Sequence, residues 1–124
     1  MDIATLDLPQ TILDDDAEYI VEMKFNDEDL AADNRFFSDL KLSISKHIEQ
    51  YHLGIYSVNN DDMLYIYGKD NQRDFTNIWN VIFQLYRTDW IKKYLVIYKW
   101  YCLAEIANGE EVEDILEVFV RRGV

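Results

Sequence analysis

Six carboxylates are the residues in this sequence that are best placed to act on another molecule. They lie in two groups, one in a polar turn between two apolar runs and the other just after Gly109. They are Asp61, Asp62, Glu110, Glu111, Glu113 and Asp114. Acids held on folded elements attract a basic partner and raise its rate of association at little cost in ordering entropy. The pattern predicts a partner-binding surface in which reversing the charges of the second group weakens binding and leaves the fold intact.

The same carboxylates do not form a catalytic pattern. General acid–base catalysis by two carboxylates needs an apolar pocket that raises the pKa of one of them, whereas these acids lie in polar runs. The sequence also contains no glycine-rich phosphate-binding loop, no zinc-protease helix motif and no nucleophile-elbow motif. We therefore expect a protein that is not an enzyme and that uses no cofactor.

The cysteine and histidine residues argue against a metal site. Cys102 is the only cysteine, so it cannot form a disulfide within the chain or a cysteine-based zinc cluster, and we expect it to be a small buried residue. His47 and His52 are the only histidines, and on a helix their side chains would point about 140° apart. We expect that no metal is bound.

The stretch from Asp61 to Tyr86 shows most clearly which elements position the first group of acids. Residues 63–67 form a β-branched and aromatic run that ends at Gly68, and apolar residues then recur at helical spacing from 75 to 86. A similar apolar run over 53–58 precedes the polar turn. The two runs predict a β-hairpin, followed by a helix that packs against it.

Three further segments complete the predicted fold. Residues 18–25 and 94–101 read as strands, and apolar spacing from 36 to 51 predicts a helix capped by Asp33 or Asn34. The order β-α-β-β-α-β predicts an α+β fold of ferredoxin-like type, with a four-stranded antiparallel sheet and two helices on one face. Some of the tyrosines would then be exposed on the other face. They are Tyr51, Tyr56, Tyr65, Tyr67, Tyr98 and Tyr101.

The two ends of the chain have weaker patterns. Residues 1–16 alternate small apolar residues with acids and are expected to form an extended arm. Residues 112–119 fit an amphipathic helix as an additional C-terminal element, and a short edge strand over 116–120 is the alternative. Both ends belong to a single domain that spans 1–124, because the chain is long enough for one core and too short for two.

Composition and charge limit the possible partners. No apolar run reaches the roughly 18 residues of a membrane helix, and the first residues lack the pattern of a signal peptide, so we expect a cytoplasmic protein without membrane contact. The formal net charge is −12, with eleven acids and one base in residues 1–33 and six acids and two bases in residues 101–124. These acids would repel phosphates, so the expected partner is a basic protein and not a nucleic acid.

The hairpin and the helix after it resemble parts of known proteins. The segment from His52 to Asp74, with the sequence YIYGKD and apolar residues at 75, 78, 79 and 82 beyond it, resembles small bacterial ferredoxin-like proteins. In size, acidity and lack of an active-site motif, the chain is also similar to immunity proteins of contact-dependent and other polymorphic toxin systems. This resemblance implies an antitoxin that binds and neutralises a basic toxin domain, often a nuclease.

Other functions fit the same sequence. A phage-encoded inhibitor of the anti-CRISPR type, which mimics nucleic acid, would share the acidity but have a different partner. A non-catalytic ferredoxin-like module that regulates or binds a small ligand is the third possibility. The acids could also serve only solubility, and tyrosines on the uncovered face of the sheet could form the interface in their place.

Overall fold

The computed structural model describes residues 3–58 and 61–124, and within them five strands form one antiparallel sheet. The strands are β1 (Tyr19–Phe25), β2 (Gly54–Val58), β3 (Met63–Gly68), β4 (Leu95–Cys102) and β5 (Glu113–Asp114). The helices are α1 (Gln10–Asp14), α2 (Asp27–Ala32), α3 (Phe37–Ile48), α4 (Gln72–Tyr86), α5 (Asp89–Lys92), α6 (Leu103–Ala107) and α7 (Ile115–Arg122). Short 3-10 helices cover Ile3–Thr5 and Glu49–Tyr51. The predicted α+β class is confirmed.

The strand order across the sheet is β2-β3-β1-β4-β5, and every neighbouring pair is antiparallel. The predicted hairpin of β2 and β3 is confirmed, with Gly54 opposite Tyr67. A Cβ atom at Gly54 would collide with the ring of Tyr67, so the glycine lets this ring lie across the edge strand.

The prediction of four strands is wrong by one strand. After α6 the chain turns at Gly109, whose φ of 100° lies in the left-handed region, and returns along the free edge of β4. Glu113 and Asp114 then pair with Trp100 and Lys99 as β5. The alternative of a strand over 116–120 is also wrong, because α7 occupies those residues as the helical prediction stated.

The larger core lies between one face of the sheet and the helices α3, α4 and α7. Val21, Met23 and Phe25 of β1 point into it and are at most 1% exposed. The C-terminal helix joins this layer through Phe119, whose ring stacks on Phe83 at 5.2 Å and meets Tyr86 edge-on at 4.7 Å. None of the helices in the described part of the chain is long and apolar enough to span a membrane.

The second face of the sheet is covered, contrary to the expectation of an open tyrosine surface. Residues 3–17 and α6 pack on it, and Ile12 of α1 is completely buried there. The predicted extended arm therefore contains a helix at this point. Cover is needed because Ile20, Tyr65 and Tyr101 present a large apolar area that would otherwise face water.

The acidic segment between β1 and α3 forms a helix, α2, that is not among the elements predicted from the sequence. Asn26 caps α2 by accepting a hydrogen bond from the Asp29 backbone N–H at 3.1 Å. Three acids occupy the first turn of that helix, where the helix dipole favours negative charge. Neither Asp33 nor Asn34 caps α3, which begins after Phe36 instead.

One charged residue is buried within the second face of the sheet. Glu22, in the middle of β1, is 7% exposed and accepts hydrogen bonds from two tyrosine hydroxyls, that of Tyr65 at 2.9 Å and that of Tyr101 at 3.1 Å. Burial, followed by the nearby carboxylate of Glu22, raises the pKa of both tyrosines, so both remain protonated donors. The pair of hydroxyls replaces the water that the carboxylate loses on folding.

Removing one of these donors should destabilise the fold. We expect Tyr65→Phe to lower the free energy of unfolding by about 1–3 kcal/mol, because one oxygen of Glu22 is left buried without a donor. Tyr56→Phe is the matched control, since Tyr56 lies opposite Tyr65 on the same face and is only half-buried. Urea unfolding of both variants measures the difference, and equal losses would show that Glu22 does not depend on the hydroxyl.

Candidate partner-binding surface

The first group of predicted site residues lies where the β2–β3 hairpin meets the end of β1. The carbonyl of Asp62 accepts a hydrogen bond from the Phe25 backbone N–H at 3.1 Å, which fixes the turn against β1. Asp62 has a φ of 51°, a left-handed conformation that aspartate tolerates better than most residues. Asp27, at the start of α2, faces the same depression together with Asp61, Asp62 and Lys24. Three acids and one base therefore meet at this end of the sheet.

The charge of the three acids is only partly offset by two bases, Lys24 in the same depression and Arg35 beside Asp27 and Asp62. Burial raises the pKa of Asp62, Asp27 raises it further, and Lys24 only partly opposes them. A carboxylate with a raised pKa is less stable in its charged form than the same group in water. A cation supplied by a partner would remove this penalty, so the cluster is suited to receive one.

An apolar groove of about 310 Å³ lies beside the acids. Its lining includes two acids, Asp27 and Asp62, one base, Arg35, and the apolar residues Leu30, Phe36 and Phe37. The Phe36 side chain is 69% exposed. We call Asp27, Asp61, Asp62 and Phe36 the hairpin-end surface. It combines fixed negative charge with an exposed ring, and aromatic rings are frequent anchors in protein interfaces.

Sequence reasoning missed two members of this surface. The apolar spacing from 36 to 51 predicts Phe36 on the apolar side of the helix. The structure instead places it before the first turn of α3 with an extended backbone, so its side chain lies off the apolar stripe. The signal was Asp39, whose carboxylate accepts a hydrogen bond from the Phe36 N–H at 3.3 Å. Asp27 lies in an acidic stretch for which the sequence patterns predict no helix, although Asn26 and Asp29 have the spacing of a helix cap.

The second group of predicted residues lies at the opposite edge of the sheet. Glu110, Glu111, Glu113 and Asp114 are all exposed, with the first two in the loop after Gly109 and the other two in β5. Two strands, β1 and β4, separate β5 from β3, which corresponds to about 14 Å across the sheet. The structure therefore does not bring the six predicted residues into one site.

The buried acids are engaged in the fold and do not extend this surface. Asp74 accepts a hydrogen bond from the Lys69 backbone N–H at 2.7 Å and contacts the Arg73 guanidinium at 3.3 Å, which ties the start of α4 to the end of β3. Glu22 is covered by the N-terminal segment. No group of three or more His, Cys, Asp or Glu side chains in residues 3–58 and 61–124 could hold a metal ion.

Most tyrosines proposed as an alternative interface are used internally. Tyr98 is buried and donates to the Ile82 carbonyl at 2.7 Å, while Tyr65 and Tyr101 bind Glu22. Tyr67 donates to Asp15 at 2.7 Å, and burial together with this carboxylate raises the pKa of Tyr67 to about 12. A surface made of these hydroxyls has little left to offer a partner.

Charge reversal at Asp114 should lower the stability of the fold, whereas the sequence predicts little effect of reversing this charge. The Asp114 carboxylate caps α7 by accepting a hydrogen bond from the Glu117 N–H at 3.1 Å. We expect Asp114→Lys to cost about 1 kcal/mol of unfolding free energy, because the cap is lost and a cation lies at the helix N-terminus. Urea unfolding measures the loss, and the same reversal at exposed Glu111 serves as the control. Equal stabilities of the two variants would contradict the capping role.

The electrostatic strain at Asp62 should appear in the pH dependence of stability. Because its folded-state pKa is raised above the ordinary value of 3.8, the charged form of Asp62 weakens folding at neutral pH. Asp62→Asn should therefore raise the free energy of unfolding at neutral pH. This advantage should shrink as the pH falls through the raised pKa and vanish below the ordinary value.

Asp33→Asn is the matched comparison with the opposite sign. Hydrogen bonds from Lys93 and Tyr94 lower the pKa of Asp33, so its charge supports folding above the ordinary value and loses that effect as the pH falls through the lowered pKa. Urea unfolding over a pH series compares the two variants. A loss of stability at neutral pH in Asp62→Asn would overturn the assignment of strain.

Comparison with known proteins gives no family for this chain. No family model matches it, and neither a curated protein nor a solved structure matches it. Its function has to be inferred from its own residues.

Proposed function

We propose that the protein is a non-catalytic immunity protein that binds a basic toxin domain, with a nuclease as the expected class, and neutralises it by one-to-one association. The observation that carries this proposal is the hairpin-end surface, where three acids, only partly offset by Lys24 and Arg35, lie beside an exposed aromatic ring. Nucleases bind phosphates with basic surfaces, so an acidic partner can occupy the same surface in competition with the nucleic acid.

The arrangement of the acids supports binding more than solubility. An acid that serves solubility is best fully exposed, since a charge in water carries little desolvation cost. Asp62 instead is partly buried against Asp27, which makes its charge unfavourable in the free protein. A basic side chain from the partner would turn this unfavourable charge into an attractive one, and Phe36 would supply apolar contact beside it.

We also propose that the central part of the fold has a ferredoxin-like layout. The order β2-β3-β1-β4 with antiparallel neighbours, and the long helices α3 and α4 between the strands, support this assignment. In this description β5 and α7 are additions at one edge, and α1 and α6 are additions on the second face. The hairpin-end surface then lies where β1 ends and β3 begins.

The test compares two double charge reversals that change the net charge equally. Asp27→Lys with Asp61→Lys alters the hairpin-end surface, and Glu110→Lys with Glu111→Lys alters the far edge of the sheet. We expect the first variant to associate more slowly and bind more weakly to the product of the adjacent gene, measured by surface plasmon resonance. The effect should be larger at low salt, because surface charges are screened beyond about 8 Å at physiological ionic strength.

The outcome of this comparison shows whether binding depends on charges at one surface or on the total charge of the protein. Equal losses in the two variants would show that only the total charge matters, and a loss confined to the second variant would place the interface at Glu110 and Glu111. Urea unfolding of both proteins is the control for folding, since Asp27→Lys removes a favourable charge from the first turn of α2, worth about 0.3–1 kcal/mol. No binding of the wild-type chain to a basic neighbouring protein would count against the immunity function.

A further inference from the structure

The two edges of the sheet differ in how well they resist pairing with another chain. β5 has two residues, both acidic and exposed, and α7 follows it directly. β2 has five residues with the sequence GIYSV, which includes no charge and no proline. Short, charged edge strands discourage strand addition, whereas an uncharged edge of ordinary length permits it. The edge at β2 therefore lacks the protection that the edge at β5 has.

The hydrogen-bond pattern shows which groups of β2 point away from the sheet. The Phe25 N–H donates to the Asp62 carbonyl, on the β3 side of β1, and the Asn26 N–H donates to the Tyr94 carbonyl, on the β4 side. Bonding direction alternates along each antiparallel strand, so the odd-numbered residues of β1 bond β3. Their partners are the even-numbered residues of β3. The odd-numbered residues of β3 therefore bond β2. Through the register of β2 and β3, Gly54, Tyr56 and Val58 bond β3.

Ile55 and Ser57 consequently direct their N–H and C=O groups outward. Within residues 3–58 and 61–124, no backbone or side-chain group outside the sheet is bonded to them. All five residues of β2 are only half-buried. Two donors and two acceptors are thus available to an added strand in the geometry that a sheet requires.

The charges around β2 select among possible occupants. Val58 pairs with Met63, so the end of β2 at Val58 lies beside the acids of the hairpin-end surface. The other end, near Gly54, has mixed charge, with Lys69 4.0 Å from Asp15. A second copy of this chain would bring another net charge of −12 to the sheet, and the two copies would repel each other.

We propose that β2 is a docking edge along which an extended segment of a basic protein adds as a sixth strand, with basic residues beside Val58 and the hairpin-end acids. The positive charge of this segment rests on the proposed function, whereas the docking edge itself rests on the outward groups of Ile55 and Ser57. Main-chain hydrogen bonds would provide affinity, and the acids would fix which end of the segment lies at Val58.

The proposal can be tested with the full-length chain and synthetic peptides. The first peptide alternates valine and threonine and carries lysines at both ends. A second peptide has prolines in place of the central valines, and a third has serines in place of the lysines. Proline removes backbone donors and cannot extend a sheet, so the second peptide keeps the charge and loses the ability to pair.

Nuclear magnetic resonance of the isotope-labelled chain gives a residue-level signal. We expect the lysine peptide to shift the amide signals of Ile55 and Ser57 and to slow their hydrogen exchange, with no such effect at Glu113 and Asp114. The proline peptide should leave both amides unchanged. Equal responses to the lysine and proline peptides, or no response of Ile55 and Ser57 up to a few millimolar lysine peptide, would overturn the docking edge.

Two variants at Ser57 separate the backbone from the side chain. Ser57→Pro removes the outward N–H and leaves the bonds to β3, so it should weaken binding of the lysine peptide about tenfold or more. Ser57→Ala keeps the N–H and should bind as the wild type does. Circular dichroism checks that Ser57→Pro is folded, and if it is not, the proline peptide on the wild-type chain decides the question.

The remaining outcomes separate this inference from the proposed function. If the serine peptide shifts the signals of Ile55 and Ser57 as strongly as the lysine peptide does, the result supports the docking edge and contradicts a basic partner. If charge reversal at Asp27 and Asp61 weakens partner binding and Ser57→Pro does not, the result supports the proposed function and contradicts the docking edge. Analytical ultracentrifugation should show a monomer, and a dimer that Ser57→Pro dissociates would replace the basic partner with a second copy.

Discussion

The structure depends on the burial of β1 on both of its faces. β1 is the central strand, with β3 and β4 as neighbours, and its residues point alternately into the larger core and towards the second face. The residues that point into the larger core require the layer of α3, α4 and α7. The second face requires cover for Ile20 and hydrogen-bond donors for Glu22, because a buried carboxylate without partners would cost several kcal/mol. The N-terminal segment and α6 provide the cover, and Tyr65 and Tyr101 provide the donors.

Local patterns predicted the elements that local residues determine. The hairpin, α4 and the C-terminal helix follow from turn formers and apolar spacing within a few residues, and they are present as expected. The covered second face and β5 depend on contacts between distant parts of the chain, such as the packing of Ile12 beneath the sheet. The sequence did carry one signal of this cover. Ile20 and Val21 are adjacent apolar residues, and neighbouring residues of a strand point to opposite faces, so both faces of β1 carry an apolar side chain that needs cover.

The candidate site was predicted in part for the same reason. Asp61 and Asp62 were found because the turn is a local feature, but their neighbours come from a different part of the chain. Asp27 lies beside them because it begins α2, and α2 comes directly after the end of β1. The acids after Gly109 were grouped with them only by charge. The sheet register, which no local pattern specifies, places them about 14 Å away across the sheet.

Asp33 and Asp62 show two opposite electrostatic environments for a carboxylate in this protein. Asp33 has its counter-charge within the chain, since Lys93 lies 2.7 Å away and Tyr94 donates a hydrogen bond at 2.6 Å, and its pKa is lowered. Burial raises the pKa of Asp62, and the neighbouring carboxylate of Asp27 raises it further. Folding alone would favour an amide or a small polar residue at such a position. A carboxylate there leaves its charge available to a counter-charge from outside the chain, next to the edge of β2, where Ile55 and Ser57 direct backbone groups outward that bond no other element in residues 3–58 and 61–124.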